Sequence, residues 1–298
     1  MADFLSAYSI QTWLESCPQG YLMETEYGHK AGEAEPELLL TNEVLREETI
    51  RSTVQLVVGE RCALAASSGL INAAPDEGSK RFLATQTLDE ARHVEVFNKY
   101  LQTKAGYMYP VDPALKSLLD KILTDPRWDL KFIGMQLVIE GLALSAFTTM
   151  KATTPKGELL NDIVELVLRD EARHVTFGIN YLEEHLRNLS EAEREERARF
   201  AYEACVVARE RMIPKDVFHH WGWNVEEARR VYLDGEFRQM FRNLMFMRVM
   251  PNLRRIGLLT DSVRPLFEQL GMLEYENLKD DGDIDWAELS RPLFNTAA

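Results

Sequence analysis

The pentapeptide DEARH occurs twice in the chain, at residues 89–93 and 170–174. Each copy sets a glutamate three residues before a histidine: Glu90 with His93, and Glu171 with His174. On a helix that step is about 300° of rotation, so each carboxylate and imidazole share one face and can reach one ion. Two further glutamates stand alone. Glu60 has Thr53, Leu56, Val57, Ala63, Leu64 and Ser67 three, four and seven residues away, and Glu140 has Ile133, Gln136, Leu137, Ala143, Leu144 and Phe147. None of these neighbours is charged, which predicts four carboxylates on inward helix faces, where ionised acids are costly without a partner charge. The chain offers no matching set of inward lysines. Two divalent metal ions supply the missing charge, and a donor set of carboxylates with neutral imidazoles suits iron or manganese, whereas thiolates would suit zinc or a cluster.

The expected ligands are therefore Glu60, Glu90, His93, Glu140, Glu171 and His174. A metal-bound histidine needs an acceptor on its second ring nitrogen. Asp89 and Asp170 fit that role, each serving the opposite copy's histidine, with Arg92 and Arg173 holding the aspartates. An isolated Glu-x-x-His is commonly a solvated helix pair; two copies, two lone inward glutamates and near-equal spacing make this set different. Glu60 precedes Glu90 by 30 residues and Glu140 precedes Glu171 by 31. His29, His185, His219 and His220 lack such surroundings and read as surface or packing residues.

These side chains need long helices to carry them. Thr41 as a cap opens a helical pattern that stops at Pro75, and a second runs from about Asp76 to Lys104 before Gly106. A short helix near Ala114 to Thr124 leads to Pro126. A third long helix covers about Trp128 to Ala152, TTPKG at 153–157 makes a turn, and a fourth continues to about Leu186. Residues 1–40, broken by Gly20, Gly28, Gly32, Pro18 and Pro36, read as an irregular lead-in with short helices. The tail is also helical, in SEAEREERARFAYEACVVARERM, in NVEEARRVYLDGEFRQMFRNLMFMRVM up to Pro251, and in TDSVRPLFEQLGML. No strand alternation is sustained. The predicted fold is all-α: a four-helix bundle over 41–186, with additional C-terminal helices over 187–298 packed on it. The Met-rich FRQMFRNLMFMRVM reads as core or subunit interface.

Composition narrows the class. The 298 residues are 46% apolar and 28% charged, ordinary for a globular protein, and a net charge of -14 argues against a nucleic-acid partner. Three scattered cysteines, Cys17, Cys62 and Cys205, suggest neither a disulfide framework nor a zinc knuckle and fit a reducing cytoplasm. The N-terminus does not read as a signal peptide, and no run of 18 uninterrupted apolar residues occurs, so no membrane partner is expected.

With Glu, Glu-x-x-His, Glu and Glu-x-x-His in order, the chain resembles the ferritin-like di-iron carboxylate superfamily, in its oxygen-activating branch. That branch includes ribonucleotide reductase small subunits, ligand-binding oxidases, soluble monooxygenases, acyl carrier protein desaturases and arylamine N-oxygenases. The DEARH pair is most similar to the monooxygenases, and VIEGLALSAF around Glu140 to the ligand-binding oxidases. Three positions depart from relatives: Phe97 stands where reductase subunits place a radical tyrosine, Met135 where the ligand-binding oxidases have a cross-linking tyrosine, and Val167 where arylamine N-oxygenases add a histidine. The resemblance implies two iron ions, or manganese with iron, that activate O2 to hydroxylate, N-oxygenate or desaturate a small organic substrate. Phe97, Leu144, Phe147 and Val167 would line the substrate pocket. It further implies a homodimer and, with no flavin, haem or iron-sulfur signature in the chain, an external ferredoxin or reductase as electron donor. A radical-generating subunit and a ferroxidase or iron-storage protein are the competing readings.

Overall fold

A computed structural model describes residues 41–102, 109–154, 156 and 159–283. The expected lead-in over 1–40 and the end of the second helix near Lys104 lie outside these residues. Among the described residues every regular element is helical. Helix α1 (Glu43–Ala73) and α2 (Glu77–Tyr100) form a hairpin turned at Pro75, with Asp76 capping α2 by accepting the Ser79 N–H at 2.9 Å. Helix α3 (Pro113–Thr124) starts with Pro at its first position and the Asp112 carboxylate as cap. The third long helix is composite: α4 (Trp128–Phe132), a π-helical stretch Ile133–Ile139, and α5 (Glu140–Thr153). Helix α5 pairs with α6 (Leu159–Leu186) to complete the bundle.

The π-helical stretch has no counterpart in the sequence reading, because a mostly apolar run such as IGMQLVI carries no signal for its hydrogen-bond period. It widens the last turn before a ligand candidate, since the Glu140 N–H bonds to the Met135 carbonyl, five residues back. Two glycines allow neighbours to close on it. A Cβ on Gly178 of α6 would meet Gln136 Cβ at 2.5 Å, and one on Gly134 would meet Ile122 of α3 at 2.6 Å.

Helix α7 (Glu191–Glu210), opened by a capping box of Ser190 and Glu193, packs on the π-helical stretch and on α3. The tail continues as α8 (Lys215–His220), α9 (Val225–Asp234), α10 (Glu236–Leu244), α11 (Val249–Arg255) and α12 (Arg264–Gln269). The one helix expected from 224 to Pro251 is thus three. Gly235 takes an extended conformation between α9 and α10, and Pro251 sits in the first turn of α11, where a missing N–H costs nothing. Buried apolar side chains form two clusters, a large one reaching from α1 to the tail and a smaller one around Phe97, Phe147 and Val167.

Averaged over 18 residues, Arg46–Ala73 and Trp128–Thr153 are apolar enough to cross a membrane, which the test for uninterrupted runs did not reveal. They are the helices that carry Glu60 and Glu140. In the second, 83% of the apolar window is buried inside the fold, as a core helix requires.

Candidate metal centre

The four long helices bring Glu60, Glu90, His93, Glu140, Glu171 and His174 into the bundle interior, each at most 5% exposed. Their donor atoms form two groups, Glu60, Glu90, His93 and Glu171 in one and Glu90, Glu140 and His174 in the other, with atoms inside each group within 4.8 Å. His93 Nδ1 lies 3.3 Å from Glu60 Oε2, 3.4 Å from Glu90 Oε2 and 3.1 Å from Glu171 Oε1. His174 Nδ1 lies 3.2 Å from Glu90 Oε1 and 3.6 Å from Glu171 Oε2. Glu90 and Glu171 therefore approach both imidazoles, whose ring centres are 6.1 Å apart.

The outer nitrogens cross over. His93 Nε2 is 3.2 Å from Asp170, and His174 Nε2 is 3.2 Å from Asp89. Arg92 bonds Asp89 and lies 3.8 Å from Asp170; Arg173 bonds Asp170 and lies 3.7 Å from Asp89. Each aspartate thus holds the other copy's histidine, and the two arginines bracket the pair. An aspartate on Nε2–H fixes the tautomer that leaves Nδ1 with a free lone pair toward the glutamates.

Charge explains what this cluster lacks. Six buried carboxylates face two guanidiniums, which leaves a deficit of about four positive charges with neutral histidines. Without metal, burial and mutual repulsion favour protonated carboxyls at Glu60 and Glu140. Burial pushes the Glu60 carboxyl well above the usual range, helped by repulsion from Glu171 and Glu90 against the pull of His93. Burial does the same to Glu140, again with Glu171 and Glu90. Burial would also raise Glu90, but His174 and His93 outweigh it and hold that carboxyl below the usual range. Burial would lower His174, yet the charge of Glu90, the bond to Asp89 and the nearby Glu171 carboxylate raise it well above an ordinary histidine. Oε2 of Glu90, of Glu140 and of Glu171 accepts no hydrogen bond. Buried carboxylate oxygens without donors, beside imidazole nitrogens, form a donor set that divalent iron fits.

Two polar residues of the centre are absent from the sequence prediction. The Gln86 amide donates to Glu90 Oε1 at 3.1 Å and to Glu140 Oε1 at 2.8 Å, and Gln136 donates to Gln86 Oε1 at 3.1 Å. Both glutamines sit one turn before a glutamate on an otherwise apolar face. That uncharged polar residue on an inward stripe was the available signal. His185 packs on Trp128 and His220 on Tyr109 and Trp221, and neither belongs to a ligand group.

A narrow cavity reaches the centre. It is lined by Glu60, Glu140 and Glu171, by the apolar Ala63, Leu115, Met135, Ile139 and Ala143, and by Gln55 and Arg211. The four residues expected to line a pocket lie elsewhere: Phe97, Leu144, Phe147 and Val167 are at most 2% exposed, and Phe97 stacks on Phe147 at 5.8 Å inside the smaller core cluster.

Residues 63–257 match the family model described as P-aminobenzoate N-oxygenase AurF. No curated protein matches. The matched span contains five of the six ligand candidates, begins three residues after Glu60, and runs through the tail to the end of α11.

Proposed function

Since the chain belongs to the P-aminobenzoate N-oxygenase AurF family, a family of di-iron ferritin-like oxygenases, we propose that it uses O2 to oxidise an arylamine at nitrogen. The observation that carries this reading is the pair of overlapping ligand groups, buried and short of about four positive charges. Glu60, Glu90, His93 and Glu171 would hold one ion, and Glu90, Glu140 and His174 the other. Two iron ions bound there, or manganese with iron on the same donors, would supply O2 activation and two-electron oxidation.

The chain's own part is positioning. Asp89 and Asp170 hold the Nε2 side of each ring, so that Nδ1 is the nitrogen turned inward and left to a metal ion, while Gln86 ties Glu90 to Glu140 and limits how far either carboxylate swings. Leu115, Met135, Ile139 and Ala143 keep the cavity apolar, so a flat aromatic substrate enters with little bulk water. Electrons would come from a separate ferredoxin or reductase, and the protein would work as a cytoplasmic homodimer. The free thiols of Cys62 and Cys205 agree with that compartment.

N-oxygenation consumes O2, two electrons and two protons, and yields a hydroxylamine and water. The iron-loaded, reduced protein mixed with p-aminobenzoate and 18O2 should give a product carrying 18O on nitrogen, read by mass spectrometry. Label on a ring carbon would replace this reading with hydroxylation. Unchanged amine beside fully oxidised iron would remove the oxygenase reading.

A further inference from the structure

Helix α9 buries none of its residues and packs chiefly on α8 and α10. Its hairpin with α10 leaves Val231 and Met240, one on each helix, 65% and 55% exposed, and Trp223 in the turn before α9 is 47% exposed. Helices of ten and nine residues gain little from their own hydrogen bonds and depend on their apolar faces being covered. The same face is short of acid. Arg230 is exposed, and Arg242 is 3% exposed and donates to the Arg209 carbonyl at 3.2 Å. Arg209 and Arg242 each keep a buried Nε without an acceptor. Among the described residues none of these three guanidiniums pairs with a carboxylate.

The chain carries a segment that suits both needs. Residues 1–40, outside the described structure, hold seven acidic residues against Lys30 alone, with apolar residues such as Phe4, Leu5, Ile10, Trp13 and Leu14 among them. They join the fold beside this face. Glu48 of α1 pairs with Arg238 of α10 at 3.3 Å, and Thr41 precedes Glu48 by seven residues, roughly 10 Å along the axis. We propose that residues 1–40 cover the α9–α10 hairpin of their own chain, with apolar side chains on Trp223, Val231 and Met240 and carboxylates on the uncompensated guanidiniums. Residues 284–298 suit the face less. They leave from the side of α6 and α11, where Asn180 donates to the Gly282 carbonyl at 2.7 Å and Asn252 to the Asp281 carboxylate at 3.0 Å, and they hold two acids and one arginine. A tethered segment also meets the face at a higher effective concentration than a free second copy does. No metal ion or turnover enters this contact.

Photo-cross-linking of the purified full chain tests the contact. A benzophenone amino acid replaces Met240 or, in a second variant, Val231, and Leu88, exposed on α2, serves as the control position. Irradiation, digestion and mass spectrometry should find cross-links from positions 231 and 240 into residues 1–40, and fewer such links from position 88. In an equal mixture of 15N-labelled and unlabelled chains, both halves of each linked pair should carry the same isotope. Arg230→Glu should lower the yield from position 240 about two- to fivefold, the range open to an exposed ion pair. Mixed-isotope pairs would overturn the proposal by giving the face to a second copy. Links from 231 and 240 into residues 284–298, or none into 1–40 beyond the level at position 88, would overturn it as well.

Discussion

A repeated pentapeptide resolves, at the scale of single residues, into a crossed pair. Asp89 serves His174 and Asp170 serves His93, so neither DEARH copy completes its own histidine. Replacing one aspartate with asparagine keeps the shape but offers the wrong tautomer a partner. Asp170→Asn should weaken metal binding by about 10- to 100-fold, and competition with a chelator checks it. The acid-base state gives a second prediction. Burial pushes the Glu60 and Glu140 carboxyls well above the usual range, which favours their protonated forms in the metal-free protein. Metal must displace those protons, so uptake should release them into an unbuffered solution and should weaken as pH falls. Uptake without proton release would contradict this charge assignment. The six ligand candidates were legible because ionisable residues on apolar stripes demand compensation. Gln86 and Gln136 were not, since a buried amide raises no such alarm. Val167 shows the limit of reading departures: its apolar side chain sits in the smaller core cluster where arylamine N-oxygenases resemble one another in carrying a histidine, yet the chain belongs to the AurF family.

At the scale of elements, the π-helical stretch Ile133–Ile139 decides how Glu140 and Gln136 meet the centre. It depends on Gly178, because any Cβ there collides with Gln136. Gly178→Ala should cost about 1–3 kcal/mol by overpacking and should perturb metal binding as well, through the chain from Gln136 to Gln86 to Glu140. Thermal melting with and without iron separates the two effects. A control lies at the far end of the same composite helix. Asp129 joins α4 to Arg197 of α7 at 2.8 Å and to His185 of α6 at 3.4 Å. Burial would raise its carboxyl, but His185 and Arg197 together hold it at about 2. A depressed acid stabilises above its unfolded value and loses that contribution as pH falls through the folded one. Roughly 2 kcal/mol should therefore disappear between about pH 4 and pH 2, and Asp129→Asn should flatten that slope in acid unfolding curves. Helix positions were readable from caps, prolines and apolar periods. The π stretch was not, because its cause is close packing by α3, α6 and α7, which no local pattern encodes.

For the whole molecule, the four-helix bundle supplies the ligands and the tail supplies what surrounds them. Helix α7 covers the π-helical stretch, and the turn after it delivers Arg211 to the cavity. The family match covers residues 63–257, so it spans most of the bundle and the tail as far as two residues past α11. Nothing local in the tail announces this role. ARERM at 208–212 looks like any solvated helix end, and only the tertiary fold turns Arg211 inward. Because ions binding the folded centre stabilise it by mass action, free metal at about 100 times its dissociation constant adds about 2.7 kcal/mol. Stripping the metal with a chelator should lower the melting temperature, and Glu60→Ala should remove most of that difference.

Metal stoichiometry tests the central claim most directly. Anaerobic titration with ferrous iron, removal of unbound ions and elemental counting should give two irons per chain for the wild type, and fewer for Glu60→Ala and His174→Ala. A wild-type count of one or none, or a count of two that neither substitution reduces, would contradict the assignment of these carboxylates and histidines as a two-metal centre.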